Sequence, residues 1–132
     1  MRRWYLDTSA AMKLLVAEAE TEPLSTWITG AQRQLVACYL LESEVRRAVQ
    51  RYPDLGQVDA VALLDGVDLY EVPPSLFREA GLLPGEHLRA LDAIHVAAAV
   101  RLGVDGVVTY DHRMAAGVRA VGLPVVSPSS LG

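Results

Sequence analysis

Cysteine is nearly absent from this sequence, and long apolar segments are absent altogether. The 132 residues include one cysteine, Cys38, which excludes an internal disulfide and fits a reducing compartment. The longest apolar runs, such as residues 93–100, fall well short of the roughly 20 residues that cross a membrane. Arg2 and Arg3 are followed by a short apolar run that ends at Asp7, which is too short for the core of a signal peptide. We therefore expect a cytoplasmic protein that does not associate with membranes.

Positive charge is also scarce. The chain has 12 basic and 16 acidic side chains, a net charge of −4, and its only lysine is Lys13. An acidic balance by itself argues against nucleic-acid binding, because proteins that bind nucleic acids usually carry a basic surface. If bound cations neutralise four of the 16 acids, however, 12 acids remain against 12 basic side chains. The net charge therefore does not exclude an RNA-binding protein.

The composition predicts one globular domain over residues 1–132, since 52% of the residues are hydrophobic and 21% are charged. Short apolar segments alternate with segments of helical periodicity, which predicts an α/β fold with a mostly parallel sheet. Thr8 or Ser9 can cap the first helix, and an N-cap is also the alternative to metal binding for Asp7. The predicted strands are 4–6, 35–38, 67–72, 107–109 and 125–126, and the predicted helices are about 9–16, 23–30, 39–52, 58–64, 75–80, 88–102 and 114–121.

Four acidic residues stand at noticeable positions. Asp7 ends the first strand, Glu44 lies in the third helix, Asp92 lies near the start of the long helix, and Asp111 follows the fourth strand. Sites in parallel sheets gather at the carboxyl ends of the strands, so Asp7 and Asp111 are expected at one edge. Carboxylates that are brought together repel each other and lose hydration, and a cation offsets both costs. Oxygen ligands without a cysteine cluster favour Mg²⁺ or Mn²⁺ over zinc.

A second glutamate, Glu42, competes with Glu44 for a place in this site. Helical residues two positions apart point about 200° apart, so only one of the two can face the other acids. Spacing alone leaves the choice open.

Four sequence blocks occur in the order that is found in one known family. They are Asp-Thr-Ser-Ala at 7–10, Ser-Glu-Val-Arg-Arg-Ala at 43–48, Leu-Arg-Ala-Leu-Asp-Ala-Ile-His at 88–95 and Thr-Tyr-Asp at 109–111. With these blocks the chain resembles the PIN-domain family, and within it the VapC toxins, from end to end. The block at 88–95 is the most specific of the four, whereas Asp-Thr-Ser alone is a weak signal. The alignment of the motifs favours Glu44 over Glu42.

The resemblance implies a PIN-like three-layer α/β/α domain with a central, mostly parallel sheet. It implies an endoribonuclease that cleaves RNA phosphodiester bonds with water activated by Mg²⁺ or Mn²⁺. The catalytic and metal-binding residues would be Asp7, Glu44, Asp92 and Asp111. The resemblance further implies the toxin of a type II toxin–antitoxin pair, a homodimer inhibited by a VapB-like antitoxin, with tRNA or ribosomal RNA as the substrate.

Further residues near the four acids are candidates for holding the carboxylates or contacting RNA. They are Ser9, Thr109, Arg46, His112 and Arg113. His95 shares a helix face with Asp92, and we interpret it as a packed, hydrogen-bonded side chain.

Two other functions are compatible with the same residues. One is a non-catalytic PIN-fold module that binds protein or RNA. The other is a phosphotransfer enzyme that uses Asp7 as its nucleophile. Phosphatases of the haloacid-dehalogenase type place a second acid two residues after the nucleophile, and this sequence has Ser9 there, which counts against that function.

Overall fold

Short apolar strands form one parallel sheet in the computed structural model, which describes residues 2–130. Residues 1, 131 and 132, which the predicted single domain includes, lie outside the described part. The strand order is β3-β2-β1-β4-β5, and every neighbouring pair is parallel. The strands are β1 (Arg3–Leu6), β2 (Gln34–Cys38), β3 (Asp68–Tyr70), β4 (Gly106–Val108) and β5 (Val125–Val126).

Every helix that the sequence pattern predicts is present, with ends that differ by a few residues. The helices are α1 (Thr8–Leu15), α2 (Thr21–Gly30), α3 (Leu40–Val49), α4 (Gln57–Leu64), α5 (Ser75–Gly81), α6 (Ala90–Leu102) and α7 (His112–Ala120). None of these helices, within residues 2–130, is both long enough and apolar enough to span a membrane.

The start of α1 decides between the candidate N-caps. Asp7, not Thr8 or Ser9, is the N-cap, because Asp7 has an extended backbone and its Oδ1 accepts a hydrogen bond from the Ala10 N–H at 2.9 Å. Asp111 caps α7 in the same way. Each of these two helices therefore begins at an N-cap acid that also belongs to the predicted site.

The strand order divides the helices between the two faces of the sheet. The chain runs outward from β1 through β2 to β3, then crosses back to β4 and on to β5. Because crossovers between parallel strands are right-handed, reversing the direction moves the connecting helices to the opposite face. Helices α1 to α4 pack against one another, while α6 packs against α5 and α7. The result is the predicted three-layer α/β/α arrangement.

The reversal also creates a switch point between β1 and β4. These strands are neighbours in the sheet, with Leu6 paired to Val108, but their following helices α1 and α7 leave toward opposite faces. Open α/β sheets bind ligands in the crevice that such a reversal opens at the carboxyl ends of the strands. Asp7 directly follows β1, and Asp111 lies three residues after the end of β4.

Candidate active site

Asp7 is a buried carboxylate at the switch point. It is only 5% exposed, and burial raises the pKa of its carboxyl although its hydrogen bonds act in the opposite direction. Oδ1 accepts from the Ser9 hydroxyl at 2.7 Å and from the Ala10 N–H, while Oδ2 accepts from the Thr109 hydroxyl. A carboxylate offers about four acceptor positions, so these three bonds leave one of them for a further ligand.

Ser9 and Thr109 join the ends of β1 and β4. Besides its bond to Asp7, the Ser9 hydroxyl accepts a hydrogen bond from the Tyr110 N–H at 2.9 Å. Thr109 Oγ1 accepts from the Asp111 N–H at 3.1 Å. Thr109 is fully buried. Burial favours the predicted role of holding a carboxylate over the predicted contact with RNA.

Asp111 is exposed and uses only one of its oxygens in the fold. Oδ1 accepts from the backbone N–H groups of Arg113 and Met114, at 2.8 and 3.0 Å. Oδ2 accepts no hydrogen bond from any residue in the range 2–130. The N-cap role of Asp111 therefore leaves one oxygen available.

Glu44 faces the other acids and Glu42 does not. Glu44 Oε1 accepts from the Thr8 hydroxyl at 2.8 Å and also contacts His95 Nε2. Glu42 lies on the outer side of α3, where it pairs with Arg46 at 3.5 Å. Burial would raise the pKa of Glu44, but the bonds from His95 and Thr8 and the charge of His95 lower it overall.

His95 is buried behind Glu44. Burial alone would lower the pKa of its imidazole, but its contacts with Cys38 and Glu44 raise that pKa to about 9. The protonated ring is therefore the form that this environment favours at neutral pH.

Asp92, in the first turn of α6, has no direct partner for its charge. Among residues 2–130 we find no hydrogen bond or ion pair to its carboxylate. Burial and the negative charges of Asp111 and Glu44 raise the pKa of Asp92, and the positive charges of His95 and Arg89 offset only part of this rise. These interactions place the carboxylates of α3, α6 and the β4–α7 connection within electrostatic range of one another.

The acids do not form a finished metal cage. Within the described range, no three carboxylate, imidazole or thiolate groups converge tightly enough to hold a metal ion. Mg²⁺ does not require such a cage, because it keeps several waters and often takes only one or two carboxylates directly. Oxygen donors with unused acceptor positions and mutual repulsion, as at Asp92 and Asp111, fit a hydrated divalent cation.

The remaining candidate residues lie at the rim of this edge or outside it. Arg46 pairs with Glu42 and donates a hydrogen bond to Gln57, so its side chain lies on the outer surface of α3. His112 and Arg113 are exposed at the start of α7. Beside Asp111, His112 contributes to a cavity of about 410 Å³.

This cavity contains two basic residues that the sequence analysis missed. Lys13 and Arg119 line it together with Tyr110. Lys13 pairs with Glu18 and Glu20, whereas Arg119 makes no ion pair within residues 2–130. Their positions in α1 and α7 carry no motif, and they line one cavity because these helices follow the neighbouring strands β1 and β4. A larger groove of about 810 Å³ lies between α2 and the segment after β5, and none of the four acids lines it.

The family model of the PIN domain matches residues 4–118. This chain belongs to the PIN-domain family. Curated relatives of this PIN domain include two ribonucleases of Mycobacterium tuberculosis. Ribonuclease VapC47 is 40% identical over 133 residues, covering 96% of this chain and 98% of that protein. Ribonuclease VapC46 is 39% identical over 128 residues, covering 95% of this chain and 97% of its own length.

Solved structures share the fold of this PIN domain. Mycobacterium tuberculosis VapC20, described as a toxin that cleaves the sarcin–ricin loop, superposes with a TM-score of 0.71 at 18% identity, over 94% of this chain and 98% of that one. A toxin–antitoxin complex from Klebsiella pneumoniae gives a TM-score of 0.67 at 20% identity, over 95% and 97%. The resemblance to PIN domains and VapC proteins and the predicted fold class are thereby confirmed.

Proposed function

We propose that this PIN domain is a divalent-metal-dependent endoribonuclease and the toxin of a type II toxin–antitoxin pair. The observation that carries the proposal is the acidic edge at the switch point. Asp7 and Asp111 follow the neighbouring strands β1 and β4. Asp92 lies within electrostatic range of Asp111 and Glu44. The curated relatives that align with this chain over nearly their whole length are ribonucleases, which supports RNA as the substrate class.

Asp7 and Asp111 would hold the cation through acceptor positions that the fold leaves unused. Asp7 has one unused acceptor position and is oriented by Ser9 and Thr109. Asp111 has a free Oδ2 because α7 occupies only its Oδ1. Bound Mg²⁺ or Mn²⁺ would supply positive charge at the phosphodiester and activate water for in-line attack.

The carboxylates at this edge are preorganised for cation binding. The bonds to Asp7 fix its carboxylate, so it loses little freedom when a ligand binds. Burial and the repulsion from Asp111 and Glu44 outweigh the attraction of His95 and Arg89, so the ionised form of Asp92 is disfavoured without a cation. A cation relieves that repulsion, which gives the site an intrinsic affinity for divalent ions.

RNA would approach over the cavity beside Asp111. Arg119 is exposed there without an ion-pair partner in the described residues, and His112 and Arg113 lie at the start of the same helix. Unpaired guanidinium groups suit phosphate oxygens. We therefore place the RNA backbone along α7, next to the acids that would cut it.

Replacing Arg119 with glutamine should weaken RNA binding and reduce its salt dependence. Loss of one phosphate contact lowers the slope of log K against log salt by about one unit. The measurement is a fluorescence titration with single-stranded RNA at several salt concentrations, in an Asp92→Asn background so that RNA is not cut. Arg78→Gln, on the exposed surface of α5, is the control and should leave the slope unchanged. An unchanged slope for Arg119→Gln would remove α7 from the RNA path.

The partner that we propose is a VapB-like antitoxin, with a homodimer of this chain as the toxin. The structural neighbours include a complex of a toxin with its antitoxin, although at their low identity they demonstrate only the fold. The antitoxin in that complex supports a partner of the same kind for this chain.

Removal of divalent metal is the direct test of the proposed function. EDTA should abolish RNA cleavage, and Mn²⁺ or Mg²⁺ added in excess should restore it. Mn²⁺ should also stabilise the RNA-free protein, by about 2.7 kcal/mol at 100 times its Kd, because it binds only the folded state. Differential scanning calorimetry over a Mn²⁺ series measures this effect. The double variant Asp7→Asn/Asp92→Asn serves as the control and should show no such rise.

A non-catalytic PIN-fold module is the second candidate, because no ready-made metal cage exists among residues 2–130. This alternative predicts a Tm that does not respond to Mn²⁺ and no RNA cleavage under any metal condition. Retained RNA binding together with both negative results would establish it and reject the nuclease.

A further inference from the structure

His95 is a buried histidine whose two ring nitrogens are both engaged. It lies in α6, one turn after Asp92, and is 2% exposed, so neither RNA nor solvent reaches it. Nδ1 lies 2.7 Å from the Tyr5 hydroxyl, and Nε2 contacts Glu44 Oε1. The ring therefore bridges the centre of the sheet to one of the four acids.

The direction of the bond to Glu44 does not depend on the charge of His95. An ionised carboxylate only accepts hydrogen bonds, so Nε2–H must donate to Glu44. In the neutral ring, the Tyr5 hydroxyl donates to Nδ1. In the imidazolium, Nδ1–H donates to Tyr5, whose own proton can go to Cys38 Sγ at 3.2 Å. Both forms keep the same contacts.

The other end of this chain of bonds is anchored in the sheet. The Tyr5 oxygen accepts from the Cys38 backbone N–H at 3.1 Å, and both residues belong to central strands and are buried. At the opposite end, the Thr8 hydroxyl donates to the same Glu44 Oε1. Two donors thus hold one oxygen of Glu44, while no residue in the described range donates to Oε2.

We propose that His95 is a positioning residue that, held by Tyr5, fixes the Glu44 carboxylate in the orientation in which Glu44 helps to bind the divalent cation. This inference rests on the proposed function of the acidic edge and adds a residue to it. Glutamate has several freely rotating side-chain bonds, and without the two donors their freedom would have to be lost when the cation binds. Hydrogen-bond partners of metal-binding carboxylates commonly change metal affinity about 10- to 100-fold.

The sign of the change in Mn²⁺ affinity separates positioning from an electrostatic role. A positive charge at position 95 would repel a cation, so its removal would by itself strengthen Mn²⁺ binding. Loss of the Nε2–H donor to Glu44, which both forms of the ring provide, weakens Mn²⁺ binding instead.

The experiment measures Mn²⁺ binding to the RNA-free protein by electron paramagnetic resonance. His95→Phe keeps a ring but has no donor, and we expect its Kd for Mn²⁺ to rise about 10- to 100-fold. His95→Gln keeps an amide N–H without the charge and should recover most of this loss. Tyr5→Phe removes only the anchoring hydroxyl and should weaken binding by a smaller factor. Glu42→Gln, on the outer side of α3, is the control and should bind Mn²⁺ like the wild type.

The outcomes distinguish this inference from the proposed function. Unchanged or tighter Mn²⁺ binding by a folded His95→Phe protein overturns the positioning role and leaves the nuclease intact. If His95→Phe does not fold, the folded Tyr5→Phe variant decides in the same way. A wild-type protein that neither binds Mn²⁺ nor cleaves RNA overturns both proposals. A parallel RNA cleavage assay should show that excess Mn²⁺ restores much of the activity of His95→Phe, since positioning acts through metal affinity.

Discussion

Asp92→Asn is expected to slow RNA cleavage strongly without lowering the melting temperature. Activity should fall roughly 10²- to 10³-fold, the loss that is typical when one preorganised charge-stabilising group is removed from an active site. Asparagine has nearly the same shape as aspartate but cannot supply the negative charge that a divalent cation needs. The measurement is the cleavage rate of a fluorescent RNA at saturating Mn²⁺, with calorimetry on the same sample.

The direction of the stability effect follows from the pKa of Asp92. Burial and the negative charges of Asp111 and Glu44 raise this pKa in the folded protein. A carboxyl whose folded pKa lies above its unfolded value destabilises the fold when it is ionised. Stability is therefore gained as the pH falls through the folded pKa, and it is lost at neutral pH. Asparagine removes this cost, so the Tm at neutral pH without metal should stay equal or rise.

Asp54→Asn is the matched control, because Asp54 is an exposed aspartate in the connection between α3 and α4. It should leave both the activity and the response to Mn²⁺ unchanged. A cleavage rate of Asp92→Asn equal to that of the wild type would refute the proposed mechanism. A large drop in Tm would instead show that Asp92 stabilises the fold, contrary to its raised pKa.

The second large effect is expected from Gly106→Ala, which should destabilise the sheet by about 1–3 kcal/mol. Gly106 pairs with Trp4 in the register of β1 and β4. A methyl group at Gly106 would lie 2.3 Å from Trp4 Cζ3 and 3.0 Å from the Pro124 carbonyl oxygen. The indole of Trp4 cannot easily move, because it packs edge-to-face on Trp27 at 5.0 Å. At typical unfolding entropies per residue, the Tm should fall by roughly 4–11 °C.

The control for this substitution is Gly81→Ala, at the end of α5. A Cβ there meets no atom within 4 Å, so the Tm should not decrease. A double-mutant cycle with Trp4→Phe tests the cause, because the smaller ring leaves space for the methyl group. Gly106→Ala should cost clearly less stability in that background. Equal costs in both backgrounds would rule out the clash with Trp4.

The local elements follow closely from local sequence patterns. Each predicted helix and strand is present, because the apolar spacing and the turn residues reflect interactions among near neighbours. The sequence offered Thr8, Ser9 and Asp7 as N-caps of α1, and it made capping and metal binding alternatives for Asp7. In the structure one carboxylate has enough acceptor positions to cap α1 and remain available for a ligand.

Contacts between elements that are distant in the sequence could not be predicted from local patterns. The buried bond chain from Tyr5 through His95 to Glu44 joins three elements, and the helical spacing of His95 and Asp92 gave only a weak signal of it. Lys13 and Arg119 carried no signal at all, because they line the cavity beside Asp111 only once β1 and β4 pair in the sheet.

The sequence by itself determined the α/β class, the family and the four candidate acids, because hydrophobic periodicity and short motifs are properties of contiguous residues. Only the tertiary structure showed that Glu42 lies on the outer side of α3, that Asp92 has no direct partner for its charge among residues 2–130, and that His95 lies behind Glu44. The physical reason is that the direction of a side chain and the charge that it experiences depend on elements far away in the chain. Those elements meet only because the order of the strands reverses, which places β4 beside β1.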